Sequence, residues 1–224
     1  MDRNLGATSS TKGDVRSLGL LYQWGRKDPF LSGGAINSNT RAESTITWPS
    51  AVLSTEYGTI NFVVSHPTTY VAGNIQNLDW YYDELNNTTR WNPNKGTYDP
   101  CPKGWKVPDG DKTNGLWSKA LGSPDEFRHG PWDSTNKGMD FAGKFTSTSS
   151  RVWYPASGWL HDSDTPSQVG IGGFYWACTP RVNWTCTPPD YYSNFLETWD
   201  DSGYVYPCSA IYRSCGLSVR CVKE

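Results

Sequence analysis

Residues 172–180 read GGFYWACTP and residues 216–224 read GLSVRCVKE, and both runs look like scaffold. Between them, residues 204–215 read YVYPCSAIYRSC. This stretch mixes aromatic, small and thiol side chains without a period of 2 or 3.6, so it predicts a poor core strand. Tyrosine offers wide, stiff contact area and serine adapts around it, which makes the stretch a candidate recognition surface.

The composition indicates one loop-rich domain. The 224 residues include 12 Trp, 13 Tyr and 7 Phe, which supply large buried areas, and 22 Gly and 15 Pro without a period. The formal charge of −2 offers no basic field, which disfavours nucleic acid as a partner. The chain has no run of about 18 apolar residues, so we expect no membrane insertion.

Five motifs spread over the whole chain carry a family resemblance. They are residues 1–7 (MDRNLGA), 22–30 (YQWGRKDPF), 98–108 (YDPCPKGWKVP), 174–176 (FYW) and 218–222 (SVRCV). In this order they resemble the C-type-lectin-like domains of surface and fimbrial proteins of Bacteroidales. The resemblance implies a single α+β domain over residues 1–224, with two helices, a loop-rich antiparallel sheet and termini close together. Residues 31–97, which have too few aliphatics for a core of their own, are expected to be a long insertion.

Some members of that family are the variable proteins of diversity-generating retroelements. In these systems template adenines are randomised, so that Asn codons become codons for other residues. The resemblance implies that residues 172–224 are a variable ligand-binding region with nine positions at template Asn codons. These positions are Tyr204, Tyr206, Cys208, Ser209, Ala210, Ile211, Tyr212, Ser214 and Cys215. An upstream patch, residues 181–194, fits less cleanly because Trp184 is not reachable from Asn codons.

The leading functional interpretation is an adhesin-type binding module at a pilus tip or cell surface. Its partner would be a macromolecular ligand, protein or glycan, and pilus subunits are further candidates through an upstream region. The candidate ligand-binding residues are Tyr191, Tyr192, Asn194, Tyr204, Tyr206, Cys208, Ser209, Ala210, Ile211, Tyr212 and Ser214. An alternative is a fixed lectin-like adhesin whose binding loop is not diversified.

The cysteines favour an oxidising, extracellular location, because six of them occur in an aromatic-rich, Lys-poor chain. Cys101 and Cys221 lie in scaffold-like motifs and form the first candidate disulfide. Pairing of Cys178 with Cys186, or of Cys208 with Cys215, would staple the binding loops, and the sequence leaves these connectivities open.

The family's motif begins at the first residue of this chain. We therefore expect the chain to be the C-terminal part of a longer protein whose upstream region carries the export signal. The alternative is a complete intracellular or phage-borne protein.

Local patterns predict several elements. A strand and a short helix or turn are expected within residues 1–30, and a strand over residues 60–64 (INFVV). Residues 101–107 resemble the start of the family's second helix, residues 115–121 (GLWSKAL) supply its apolar stripe, and residues 122–124 end it. Residues 141–145 and 151–155 are expected to be antiparallel strands.

No catalytic or metal-binding pattern is convincing. Residues 109–115 (DGDKTNG) lack the glycine position and the bidentate Glu of an EF-hand, and Asp162 with Asp164 is typical of a solvent-facing turn. A formylglycine-generating-like enzyme would use paired cysteines, but Cys208 and Cys215 lack the residues that should surround them. Neither a Ser-His-Asp arrangement nor a carboxylate pair is visible. We therefore expect a binding protein without enzymatic activity and without a cofactor.

Overall fold

Both ends of the chain contribute strands to the main sheet, and short elements fill the middle. The computed structural model describes residues 1–74, 77–82, 88–121, 128–129, 132–142, 151–181, 191–200 and 203–224. In chain order its regular elements are a 3-10 helix (Val15–Ser17), β1 (Leu20–Gln23), β2 (Pro29–Leu31), β3 (Gly33–Ala35), β4 (Ser38–Arg41), β5 (Val52–Leu53), α1 (Ser54–Tyr57), α2 (Ile60–Ser65), β6 (Val71–Ala72), β7 (Trp105–Lys106), α3 (Leu116–Leu121), β8 (Arg128–His129), β9 (Trp132–Asp133), β10 (Gly138–Ala142), β11 (Arg151–Pro155), β12 (Gly172–Pro180), β13 (Tyr192–Trp199), β14 (Tyr204–Tyr212), β15 (Gly216–Ser218) and β16 (Val222–Lys223).

The main sheet has seven strands in the order β2-β1-β15-β12-β13-β14-β8. Its neighbours are antiparallel except for β12 and β15, which pair in parallel. Four smaller sheets of two or three strands surround it. The structure is therefore mixed and sheet-rich, with short helices, and is compatible with the predicted α+β class.

The chain termini lie together, as predicted. Leu21 of β1 pairs with Ser218 of β15, and the Met1 ammonium donates a hydrogen bond of 2.6 Å to the Cys221 carbonyl. The predicted disulfide between Cys101 and Cys221 is present. It joins the segment just before β7 to the residue just before β16, and these two strands pair.

Both faces of the central strands are covered by side chains. In β12, Phe174 and Trp176 enter a buried cluster with Trp24, whereas Tyr175 and Ala177 enter a second cluster beneath α3. Adjacent residues of a strand point to opposite faces. The fully apolar run of β12 is therefore explained by burial on both sides.

Three of the predicted element groups are present, although the strand expected over residues 141–145 is described over residues 138–142. Residues 116–121 form α3, and β10 pairs with β11 in antiparallel register from Gly138 opposite Pro155 to Ala142 opposite Arg151. Asp14 caps the 3-10 helix by accepting a 2.9 Å hydrogen bond from the Arg16 amide, and β1 follows. Residues 122–124 and 143–145 lie outside the described ranges.

Three predictions about elements are wrong. Residues 60–64 belong to α2, because the Thr59 hydroxyl caps the helix by accepting from the Phe62 amide at 3.1 Å and only Val63 is buried. Residues 101–107 do not begin a helix, since Trp105 and Lys106 form β7 and pair with β16. The described part of the chain also contains three α-helices instead of two.

A buried ion cluster joins the middle of the chain to the turn after β14. Asp79 forms an ion pair with Arg90 on one side and lies 3.6 Å from Arg213 on the other. The three side chains are at most 3% exposed. Both guanidinium groups lie over the Trp24 ring, at 5.3 Å for Arg90 and 4.8 Å for Arg213. Asp79 and Arg90 fall within the predicted insertion, so this cluster attaches residues 31–97 to the main sheet.

We expect replacement of Asp79 by Ala or Asn to lower the free energy of unfolding by about 3–5 kcal/mol, because two buried guanidinium groups would lose their counter-ion. Urea denaturation measures the change. Asp2→Ala is the matched control, since the side chains of the Asp2–Arg3 pair are 65% and 39% exposed and such pairs contribute less than about 1 kcal/mol. Equal losses in the two variants would contradict a dominant role for the cluster.

Removal of the disulfide should destabilise the fold through the unfolded state. The bridge spans 120 residues of sequence, which corresponds to about 5 kcal/mol in the chain-entropy model. We expect the Cys101→Ser/Cys221→Ser variant to unfold at lower denaturant concentration and to be insensitive to reductant. Wild-type protein in reductant should unfold at the same denaturant concentration as this variant. If reductant lowers the stability of the variant further, the chain contains a second disulfide.

Candidate functional site

The stretch that looks least regular in the sequence is a strand inside the main sheet. β14 lies between β13 and β8, and Val205, Pro207 and Ile211 are buried while Tyr204 and Tyr206 are half-buried. The prediction of a poor core strand is therefore wrong.

A β-bulge explains why the alternation is hard to read in the sequence. Ser209 of β14 lies opposite Phe195, but Tyr206 lies opposite Glu197, so three residues of β14 span two of β13. The extra residue shifts the alternation by one position. Pro207 sits at this irregularity, where the missing N–H is tolerated.

Burial divides the predicted ligand-binding residues into two groups. Asn194, Ile211 and Ser214 are 4%, 8% and 1% exposed and offer almost no surface to a ligand. The others are half-buried: Tyr191, Tyr192, Tyr204, Tyr206, Cys208, Ser209, Ala210 and Tyr212. Among the predicted ligand-binding residues, the tyrosines and their small neighbours are therefore the ones that a ligand can contact.

Two tyrosine pairs form on these strands. The rings of Tyr204 and Tyr206 lie 6.3 Å apart, side by side as expected for residues spaced by two in a strand. Tyr192 and Tyr212 are directly opposite each other in the ladder, and their rings meet edge to face at 4.9 Å. The bulge lies between the two pairs.

The second pair is part of a longer line of rings, which we call the aromatic row: Trp159, His161, Tyr192 and Tyr212. The His161 ring is 5.9 Å from Tyr212 and 5.1 Å from Trp159. Each of the four residues is half-buried. Trp159 in turn stacks on the buried Phe174 at 4.3 Å, so the row is anchored in the core at this end.

Trp159 and His161 are absent from the candidate residues found in the sequence. Their segment is held in place by hydrogen bonds between its main chain and distant residues, including reciprocal 2.8 Å bonds between Leu160 and Gly216. A Trp two residues before a His, in a polar loop, is the only sequence signal, since an extended chain places both rings on one side.

Arg213 holds the Tyr192 end of the aromatic row in place through hydrogen bonds to residues 191–193. Its Nε donates to the Tyr192 carbonyl at 3.2 Å and to the Ser193 hydroxyl at 3.1 Å. Its main-chain N–H donates to the Tyr191 carbonyl at 2.9 Å. The tyrosines are therefore held on a rigid support, which lowers the entropy lost when a ligand binds.

Asn194 and Cys208 hold a loop instead of facing outward. The Asn194 side-chain amide and the Cys208 thiol donate to the same Gly110 carbonyl, at 2.9 and 3.2 Å. The Gly110 amide donates to the Thr179 hydroxyl at 3.0 Å. These hydrogen bonds hold the loop of residues 109–115 against this face of the sheet at Gly110, which lies close to Ala177.

The remaining cysteines are not paired as the sequence suggested. Cys178 and Cys215 are free and buried, so neither Cys178–Cys186 nor Cys208–Cys215 forms a disulfide; Cys186 itself lies outside the described residues. Burial raises the pKa of Cys178 to about 12. It also raises the pKa of Cys215 well above the usual value, with a further contribution from the Asp162 carboxylate. Neither thiol supplies a nucleophilic thiolate at neutral pH.

The acidic turns are used within the fold. Asp111 Oδ1 accepts the amides of Thr113 and Asn114 at 2.9 and 2.6 Å, while Asp162 bonds His161 at 2.6 Å and Asp164 lies 3.4 Å from Arg41. Among the described residues, no group of three or more His, Cys, Asp or Glu side chains is arranged to hold a metal ion. Over the same ranges, no helix is long and apolar enough to cross a membrane.

Three open grooves, of about 570, 310 and 530 Å³, are lined by residues other than the candidate set. Among the described residues, the candidate site consists mainly of aromatic side chains and their small neighbours.

No protein-family model, curated protein or solved structure matches this chain. The C-type-lectin-like resemblance remains a prediction based on the five motifs.

The packing of Gly110 against Ala177 can be tested by a methyl swap. A Cβ on Gly110 would lie 2.3 Å from the Ala177 Cβ, so we expect Gly110→Ala to cost about 1–3 kcal/mol of stability. In Gly110→Ala/Ala177→Gly the added methyl group has room, and the double variant should be more stable than the sum of the single changes predicts. If the shifts in denaturation midpoint of the two single variants add up to the shift of the double variant, the contact is contradicted.

Proposed function

We propose that this chain is an adhesin-type binding module that recognises a protein or glycan on another cell or host surface. The observation that carries the proposal is the aromatic row, in which four half-buried rings follow one another at centroid distances of 4.9 to 5.9 Å. Preorganised tyrosine and tryptophan side chains are the commonest energetic centres of protein interfaces. They also stack on sugar rings through their apolar faces.

The arrangement of the termini supports display at a surface. The first and last segments are hydrogen-bonded to each other, so a C-type-lectin-like domain of this kind can be carried on one attachment point, such as a pilus tip. The disulfide is in keeping with an extracellular location, because such bonds persist in oxidising compartments.

Retroelement diversification is part of the proposal, restricted by burial. Six of the nine predicted variable positions are half-buried, so their side chains have some surface to offer a ligand: Tyr204, Tyr206, Cys208, Ser209, Ala210 and Tyr212. Ile211, Ser214 and Cys215 are at most 8% exposed, and random replacement there would disturb the core.

A fixed, lectin-like adhesin is the second candidate. It is favoured by the packing of Tyr212 against both Tyr192 and His161, since random replacement of Tyr212 would break the row. Sequencing of this region in many isolates distinguishes the two candidates. Diversification requires changes at the six half-buried positions beside an adenine-bearing template, and a constant region without a template leaves the fixed adhesin.

A role as an oxidising enzyme is the weaker alternative. Such chemistry needs accessible thiolates, and Cys215 is 0% exposed with a raised pKa. The burial of Cys215 therefore supports the proposal of a binding module over that of an oxidising enzyme.

The binding proposal predicts that Tyr192→Ala/Tyr212→Ala and Trp159→Ala weaken binding on glycan and host extracellular-protein arrays. Truncation of an aromatic residue central to an interface costs about 2 kcal/mol or more, so we expect a loss of at least about 30-fold. Tyr57→Ala is the control, because Tyr57 is 41% exposed and contributes nothing to the row. Thermal melting confirms folding of each variant, and unchanged binding in the row variants would refute the proposal.

A further inference from the structure

Five of the ten lysines in the chain lie around one groove beside the disulfide. Lys27, Lys95 and Lys103 line this open groove, which has a volume of about 530 Å³. Lys106 and Lys223 lie on the adjoining pair of strands, β7 and β16. The whole chain has 20 basic and 22 acidic residues, so the lysines are concentrated locally in a protein with slightly negative charge.

Two of these lysines are used in hydrogen bonds within the fold. Lys95 donates to the Cys101 carbonyl at 2.8 Å and lies 3.5 Å from Asp99 and 3.9 Å from Glu224. Lys106 donates to a main-chain carbonyl at 2.7 Å. Asp99 is itself occupied, because its carboxylate accepts two main-chain amides at 2.8 and 3.0 Å. With the disulfide, these bonds hold the groove rigid.

The other three lysines are left for a ligand. Lys27, Lys103 and Lys223 are exposed. None of the three side chains has a hydrogen bond or an ion pair with any residue in the described ranges. Lys27 and Lys103 therefore bring unpaired positive charge to the groove, beside the exposed Glu224 that also lines it.

We propose that this groove is a second binding site, for an acidic polysaccharide whose carboxylate or sulfate groups pair with Lys27 and Lys103. The site goes beyond the proposed function and shares no residue with the aromatic row. Thr97, which also lines the groove, supplies a hydroxyl for the sugar hydroxyls. The positive groups are all lysines, and an ammonium is a point charge without the planar fork that makes arginine the preferred partner of phosphate. This favours a glycan over nucleic acid.

The test measures binding of the full chain to heparin, a sulfated polysaccharide, at about 0.15 M salt. We expect Lys27→Glu/Lys103→Glu to lose at least about tenfold in affinity, because complementary charge becomes repulsion. Lys112→Glu/Lys119→Glu is the matched control, because it changes the net charge by the same amount. Lys119 lies on α3 and Lys112 on the turn before it, and both are exposed. It should stay within about twofold of wild type.

Each other outcome overturns the proposal. Wild-type protein that does not bind heparin, or equal losses in both lysine variants, would leave no specific site in the groove. Equally tight binding of duplex DNA or polyglutamate would replace the glycan with another polyanion. Tyr192→Ala/Tyr212→Ala should bind heparin like wild type, so failure of this proposal is distinguishable from failure of the aromatic-row proposal.

Discussion

The structure depends on one buried carboxylate held between two guanidinium groups. Asp79 comes from the middle of the chain, Arg90 from the same region eleven residues later, and Arg213 from the turn after β14. None of the three charges is solvated, so each requires the others to be in place. Trp24 lies against both guanidinium groups and donates its ring N–H to the Ala177 carbonyl at 3.0 Å. The middle of the chain is thereby locked to the sheet.

The same constraint reaches the candidate binding surface. Arg213 follows Tyr212 directly and bonds the main chain of Tyr192, so the charge that closes the ion cluster also positions the aromatic row. A binding surface supported in this way gains affinity through rigidity. It also has a narrow tolerance for change, because its half-buried tyrosines alternate with residues that are part of the core. Under the proposed diversification, this separation of surface and core positions within one strand would restrict variation to the half-buried positions.

The two proposed surfaces differ in chemistry. The aromatic row offers apolar, polarisable area with few charges, which suits directional contacts at short range. The lysine groove offers uncompensated positive charge, whose effect is longer in range and weakened by salt. In an adhesin, the two would act together if an acidic glycan and a second ligand occur on the same target surface.

Local patterns alone predicted part of this protein. The helix at residues 116–121 and the strands β10 and β11 follow from their own apolar spacing, and the Cys101–Cys221 bond and the adjoining termini follow from the family-like motifs. Local patterns failed at residues 105–106, where pairing with β16 decides the conformation, and at residues 60–64, where a capping residue decides it. Residues 60–64 read as a strand, but the Thr59 cap and the burial of Val63 alone select a helix.

The candidate site shows the same division. The sequence identified the tyrosines of β13 and β14, because tyrosine-rich stretches with small neighbours are unusual in a core. Only the tertiary structure decided which of these residues are exposed, since a bulge in β14 shifts its alternation and Asn194 turns inward to Gly110. It also added Trp159 and His161 from another segment. Contacts between residues far apart in the chain leave no periodic trace in the sequence, so the aromatic row and the Asp79 cluster emerge only when the chain is folded.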